Sequence, residues 1–217
     1  MSSHATGTRV QRMPRAQRRA QLLGAALTVF VSKGYHAAAM EDIADEAGVS
    51  KPVLYQHFPG KLDLYLALLD NQCDHLETLV LEALNSSEDH EERVYATVRA
   101  FFTFVADEGG AFRLIYESDL TNEPQVRHRI DALEAQLGEA IAQRIIQDTT
   151  LPLELAEMLG LAMSGAAQVM ARTWLAHGSQ FPLEVAAQAA GHLAWRGIGS
   201  FPVNRMGDPD RGRPGQE

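Results

Sequence analysis

Apolar side chains recur every three or four residues along most of this chain, the period of an α-helix with one buried face. Over residues 14–33 the stripe is Leu22, Leu23, Ala26, Val29 and Phe30, and Gly34-Tyr35 closes it. Ile43, Ala44 and Ala47 mark a second, short helix that Gly48 ends, glycine being free to adopt positive φ. Ser50 offers a hydroxyl N-cap to a third helix over 51–58. Pro52 suits its first turn, where the N–H that proline lacks would have no helical partner. Leu54 and Phe58 stand four apart and face inward, leaving Lys51, Tyr55, Gln56 and His57 outside.

From Lys61 onward the helical period continues. Residues 61–85 carry Leu62, Tyr65, Leu66, Leu69, Leu76 and Leu84, and Asn85-Ser86-Ser87 breaks the run. Glu88, Asp89 and Glu91 then crowd a first turn, where the helix dipole favours acids. That helix carries Val94, Val98, Phe101, Phe102 and Val105 and is predicted to stop at Gly109-Gly110. A short helix over 111–120 follows, then a longer one to about 147, opened by an apparent capping box (Asn122 with Gln125) and by Pro124. Pro152 and Pro182 open two more, over 152–177 and 182–200. The pattern predicts an all-α protein of about nine helices, with no strand and no repeat. It divides into a flexible basic arm (1–13), a three-helix unit (14–60), a helical body (61–200) and a Pro/Gly-rich tail (201–217) expected to be disordered.

A tight turn followed by a short helix with an apolar back and a polar, basic front is what a major groove accepts. The net charge of −9 argues against a DNA-binding role until the chain is split. Residues 1–61 hold eight Lys/Arg against four Asp/Glu, whereas the remainder holds eleven against twenty-four. The first part is where phosphates would sit, and the acidic body repels DNA elsewhere. Arg9, Arg12, Arg15, Arg18 and Arg19 follow the DNA backbone, enter a minor groove, or form a solvated basic tail.

Other function classes find little support. The single cysteine, Cys73, excludes an intrachain disulfide framework and reads as packing rather than as a redox sensor. There is no arginine-flanked apolar leader, and the longest uncharged run, 158–171, is too short and too polar to cross a bilayer. A soluble, cytoplasmic protein without membrane contact is expected. His75, His90 and His128 lack partners at ligand spacing, so neither metal nor cofactor is expected. Without a nucleophile elbow, phosphate loop or paired-acid signature, nothing argues for an enzyme.

The run MEDIADEAGVSKPVLYQHFPGK at 40–61, with the helix before it, resembles the DNA-binding signature of the TetR family of transcriptional regulators. The turn glycine, Leu-Tyr-x-His-Phe and the lysine three residues later carry the resemblance. It implies phosphate contacts from Lys51, Tyr55, His57 and Lys61, base contacts from Gln56 and Val53, and a supporting edge of Arg15, Ser50 and Pro52. Glutamine can pair bidentately with adenine, and valine can touch a thymine methyl. Ala38, Ala39 and Met40 depart from the family, which usually has threonines capping the second helix.

Within the family the chain is similar to regulators of fatty acid biosynthesis that sense long-chain acyl-CoA. The segments are GYHAA (34–38), SKPVLYQHF (50–58), KLDLYLALL (61–69), AFFTF (100–104) and RLIYESDLTNEPQV (113–126). Phe101, Phe102, Phe104, Phe112, Tyr116, Met158, Met163, Met170 and Trp174 are then either plain core or an adaptable apolar wall for a lipid-like ligand. Arg113, Arg127 or Arg129 would meet the CoA phosphates. Ala162, Gly165, Ala166, Ala167 and Ala171, with Ala186, Ala187, Ala190, Gly191 and Ala194, suit either a homodimer seam or an intramolecular core. A homodimer on a palindromic operator is expected. Two alternatives remain: a repressor of an efflux or catabolic operon released by an amphipathic compound, and an acyl-ligand carrier whose helix-turn-helix is only structural.

Overall fold

The computed structural model describes residues 13–107, 109–120, 122–178 and 180–197. Among them are nine helices and no strand: α1 (Arg15–Ala37), α2 (Met40–Glu46), α3 (Lys51–His57), α4 (Lys61–Leu84), α5 (His90–Asp107), α6 (Gly109–Tyr116), α7 (Pro124–Asp148), α8 (Leu153–Ala176) and α9 (Leu183–Arg196). The all-α expectation is met. Arg9 and Arg12 of the basic arm, and the whole 201–217 tail, lie outside the described residues.

The three-helix head closes on the predicted stripe. Leu22, Ala26, Val29 and Phe30 of α1 are buried with Ile43 and Ala44 of α2, Leu54 of α3 and Phe58 just beyond it. Enclosing such a side chain contributes about 1.5–3 kcal/mol. Gly34 breaks α1 at φ 74°, and Gly48 turns the chain between α2 and α3 at φ 63°. Gln21 Nε2 reaches across to donate to the Ala47 carbonyl at 2.8 Å, satisfying the end of α2 from α1. The start of α2, without family threonines, is served from inside: Asp42 Oδ2 accepts from the Ala39 N–H at 3.0 Å and pairs with Lys33 at 2.9 Å.

Some local expectations are corrected. Ser50 precedes α3 in an extended conformation, but its hydroxyl makes no capping bond and stays exposed. Gly109 and Gly110 do not end α5; they begin α6, and Gly110 lies so close to α1 that a Cβ there would come within 2.9 Å of Val31. The capping box at 122–125 is not formed: Asn122 accepts from Arg127, and the N-cap position is Glu123. α9 ends at Arg196, where Gly197 turns away at φ 69°.

In the body, α4 is the central rod, with Leu64, Leu68, Leu69 and Leu76 fully enclosed. The small residues of α8 and α9 serve in part a different purpose from the seam envisaged. Ala187, Ala190 and Gly191 are buried within the protomer, where a Cβ at Gly191 would strike the Tyr95 ring of α5. Gly160 meets the Gly138 carbonyl of α7 with equally little room, and Ala171 is also enclosed. Small side chains bring helices together, and here the pairs are α9 with α5 and α8 with α7. What α8 and α9 leave outside is larger: Leu155, Met158, Leu161, Val169, Val185 and Trp195 are all more than a third exposed. Among the described residues no helix is long and apolar enough to cross a membrane.

Candidate nucleic-acid interface and ligand cavity

Residues 50–57 present one exposed edge. Ser50, Lys51, Pro52, Tyr55 and Gln56 are exposed, while Val53 and His57 are half-buried. Arg15 and Arg18 from α1 border the same groove as Val53, Gln56 and His57. The first turn of α1 therefore adds positive charge to the polar front of α3. Lys51 is ion-paired with Glu41 of α2, a partner that sequence reasoning missed. Any phosphate bound there must compete with that carboxylate. The His57 imidazole is held below its ordinary pKa by partial desolvation and then by the positive field of Arg15, Arg19 and Arg18. Arg19 also covers the Phe58 ring, its guanidinium carbon 4.5 Å from the centroid.

A second concavity lies within the body. A cavity of about 100 Å³ runs between α4, α5, α7 and α8, with Val80, Val98, Phe101, Leu137, Ile141 and Met163 on its walls. Seven of its lining residues, including Val94, Met163 and Asp148, also border a more open space of about 590 Å³ beside α9. A separate surface groove of about 430 Å³ is bordered by Phe102, Met170 and Trp174, and Trp174 Nε1 donates to the Phe181 carbonyl. Hence Phe101, Phe102, Met163, Met170 and Trp174 border concavities. Phe104 and Phe112 are instead enclosed core, and Tyr116 packs on Phe112 at 5.0 Å between centroids. Burial pushes the Tyr116 hydroxyl pKa well up. Met158 points outward at 59 % exposure and borders none of these spaces, because it falls on the outer stripe of α8.

Residues 22–68 match the family described as bacterial regulatory proteins, tetR family. The HTH-type transcriptional activator FasR of Mycolicibacterium smegmatis is 41 % identical over 197 residues, covering 91 % of this chain and 90 % of FasR. The chain belongs to the tetR family. A TetR-like transcriptional regulator from a Rhodococcus species superposes with a TM-score of 0.71 at 26 % identity, covering 88 % of this chain and all of that one. FadR of Bacillus subtilis in complex with stearoyl-CoA shares the fold, with a TM-score of 0.66 at 19 % identity over 82 % of this chain and 98 % of its own. The protein is thus a DNA-binding transcriptional regulator and not an enzyme.

In this TetR regulator the expected phosphate ligand Lys61 is occupied otherwise. Its ammonium donates to the carbonyls of Tyr35 (2.8 Å), Ala38 (2.8 Å) and His36 (3.3 Å), and it lies 4.5 Å from the Tyr35 ring centroid. Its N–H donors face the carbonyls that close the chain beyond Gly34, so a phosphate there would have to compete with them. Phe30, Tyr35 and Tyr65 pack ring to ring beside it, at 5.3–5.8 Å between centroids. The Tyr65 hydroxyl continues the link, donating to the Leu114 carbonyl at 3.2 Å and meeting Ser118 just past α6. Its pKa is pushed up to about 12, chiefly by burial. Head and body are joined through this hub. The Cys73 thiol on α4 is buried and likewise pushed up to about 12, the condition of an unreactive packing cysteine.

Proposed function

We propose that this regulator controls lipid-synthesis genes, acts as a homodimer on a palindromic operator in the cytoplasm, and responds to a long-chain acyl-CoA held in the body. The carrying observation is the cavity: apart from Thr97 and Ser164 its uncharged walls are apolar, and its charged groups, Arg93, Arg144 and Asp148, gather at one end. Such a space takes an alkyl chain, whose burial is worth about 0.8 kcal/mol per CH₂. The likeness to FasR along nearly the whole chain supports the same reading and favours activation over repression. A regulator of the same fold, FadR of B. subtilis, holds stearoyl-CoA.

On the DNA side, Lys51, Tyr55, His57 and Arg15 supply phosphate contacts, and Gln56 and Val53 face the bases. Ser50 and Pro52 form the exposed edge from which α3 enters the groove, and the uncommitted Ser50 hydroxyl is a further phosphate donor. The exposed apolar stripe of α8 and α9 is the surface that a second copy covers.

A gel shift on the DNA upstream of the protein's own gene, titrated with palmitoyl- to lignoceroyl-CoA, tests the proposal. Altered operator binding by one or more acyl-CoAs is expected. Indifference to every chain length, with release by an aromatic cationic compound, would replace it with the efflux-repressor alternative.

A further inference from the structure

The apolar cavity has one polar end, where α5 begins and α7 finishes. Arg93 is buried there, only 2 % exposed, with Nη1 donating to the Ser87 carbonyl at 2.8 Å and Nη2 paired with Asp148. Asp148 also faces His90 Nδ1 at 3.2 Å, so one carboxylate serves two partners. One turn earlier on α7, Arg144 gives Nη1 to Gln147 Oε1 at 2.8 Å, but its buried Nε meets no acceptor among the described residues. Arg93, Arg144 and Asp148 all line the cavity. Two guanidinium groups therefore border a largely apolar space against a single carboxylate. A buried donor without an acceptor is costly, and a desolvated cation more so. About 12 Å further along, two helical turns on, Phe101 and Leu137 line the same space. The cavity is amphipathic along its length, charged at one end and greasy at the other.

We propose that this charged end is an anion subsite, in which Arg93 and Arg144 receive the head of an amphiphile whose tail runs toward Phe101 and Leu137, with Asp148 as the resident counter-ion. The proposal rests on the acyl-ligand reading of the cavity and assigns its polarity. It also moves the head group away from the arginines suggested by sequence. Arg113 faces Glu117, Arg127 donates to Asn122, Arg129 is paired with Asp70, and none of the three lines the cavity. The planar guanidinium suits a carboxylate and a phosphate equally, so either a fatty acid or an acyl-CoA supplies the required chemistry.

Three probes with one tail separate these cases: palmitate, palmitoyl-CoA and hexadecanol, titrated into the full-length protein by calorimetry. At least one anion should bind about tenfold or more tighter than hexadecanol, the effect of one charged hydrogen bond. Arg144→Met should remove that preference while leaving hexadecanol binding unchanged, which also shows that the variant folds with its cavity intact. Palmitate losing affinity marks a carboxylate subsite, and palmitoyl-CoA alone losing it marks the phosphates. Asp148→Asn should tighten the same anion by freeing Arg93, whereas a purely structural pair would give no gain. Equal binding of hexadecanol and both anions to the natural protein would overturn the subsite and leave the acyl reading standing. Unchanged anion preference in Arg144→Met would do the same. No binding of any of the three, nor of their lignoceroyl counterparts, would remove the acyl reading, and the subsite with it.

Discussion

Around α2 and α3 the buried groups are few and fully enclosed, and the charged residues stand on the outer edge in front of a firm apolar back. From α5 to α9 the pattern is looser: a cavity inside, a stripe of large apolar side chains outside, and a buried arginine between them. A surface that reads DNA gains from rigidity, because contacts to fixed base edges tolerate little displacement. A surface that takes up a flexible chain or a second subunit needs unfilled apolar area. The difference fits the proposed division, with recognition in the head and response in the body. The Lys61–Tyr35–Tyr65 hub is the joint between them.

The largest expected effect comes from the outer stripe of the body. Val169→Glu places a charge on an exposed apolar surface, so the protomer should fold while the dimer fails. Two heads no longer linked should lose operator affinity by about a hundredfold or more. Sedimentation velocity reads the first effect and fluorescence anisotropy the second. An intact Val169→Glu dimer would put the seam elsewhere.

Next in size is the joint. Lys61→Met removes three ammonium–carbonyl bonds at the end of α1, a loss of about 2 kcal/mol. That corresponds to a melting temperature lower by roughly 4–8 °C. If Lys61 were instead a phosphate ligand, the salt dependence of DNA binding would change while the melting temperature held. Calorimetry with a salt titration separates the two roles.

Within the head, Lys51→Ala should weaken binding about tenfold on every operator variant and lower the salt slope by about one. Glu41→Gln should act in the opposite direction, since it frees Lys51 and removes an acid beside the phosphates. Glu41→Gln leaving affinity unchanged would mean that the pair dissolves at no cost. The smallest effect concerns His57. Its pKa is depressed in the free head, and approaching phosphates raise it, so binding takes up protons. Affinity should therefore rise as pH falls through the imidazole range, by about threefold between pH 7.5 and 6, and His57→Gln should abolish the dependence.

Much of this was legible along the chain because it depends on neighbours. The stripes of α1 and α4, the inward pair Leu54 and Phe58, and the polar front of α3 are set by residues three or four apart. The clamp role of Lys61 was not legible, because its carbonyl partners lie 23–26 residues away and no local signal distinguishes a clamp from a phosphate ligand. Arg93 and Asp148, 55 positions apart, were missed for the same reason, although a cation two turns before Phe101 on the side of an apolar stripe was a usable hint. The small residues of α9 were visible, but not which helix they admit: Gly191 makes room for Tyr95 of α5. Met158 fits a lipid wall by composition and lies outside by the phase of its helix.

On the proposed function, occupancy of the body and operator binding by the head form one linked equilibrium. Linkage requires each ligand to change the other's affinity by the same factor, commonly about 5–150-fold. Calorimetric titration of palmitoyl- to lignoceroyl-CoA into the free protein and into its operator complex measures that factor directly. Linkage predicts different affinities in the two titrations, in a ratio equal to the change in operator affinity that the same acyl-CoA produces. Acyl-CoA binding with one affinity in both would contradict it.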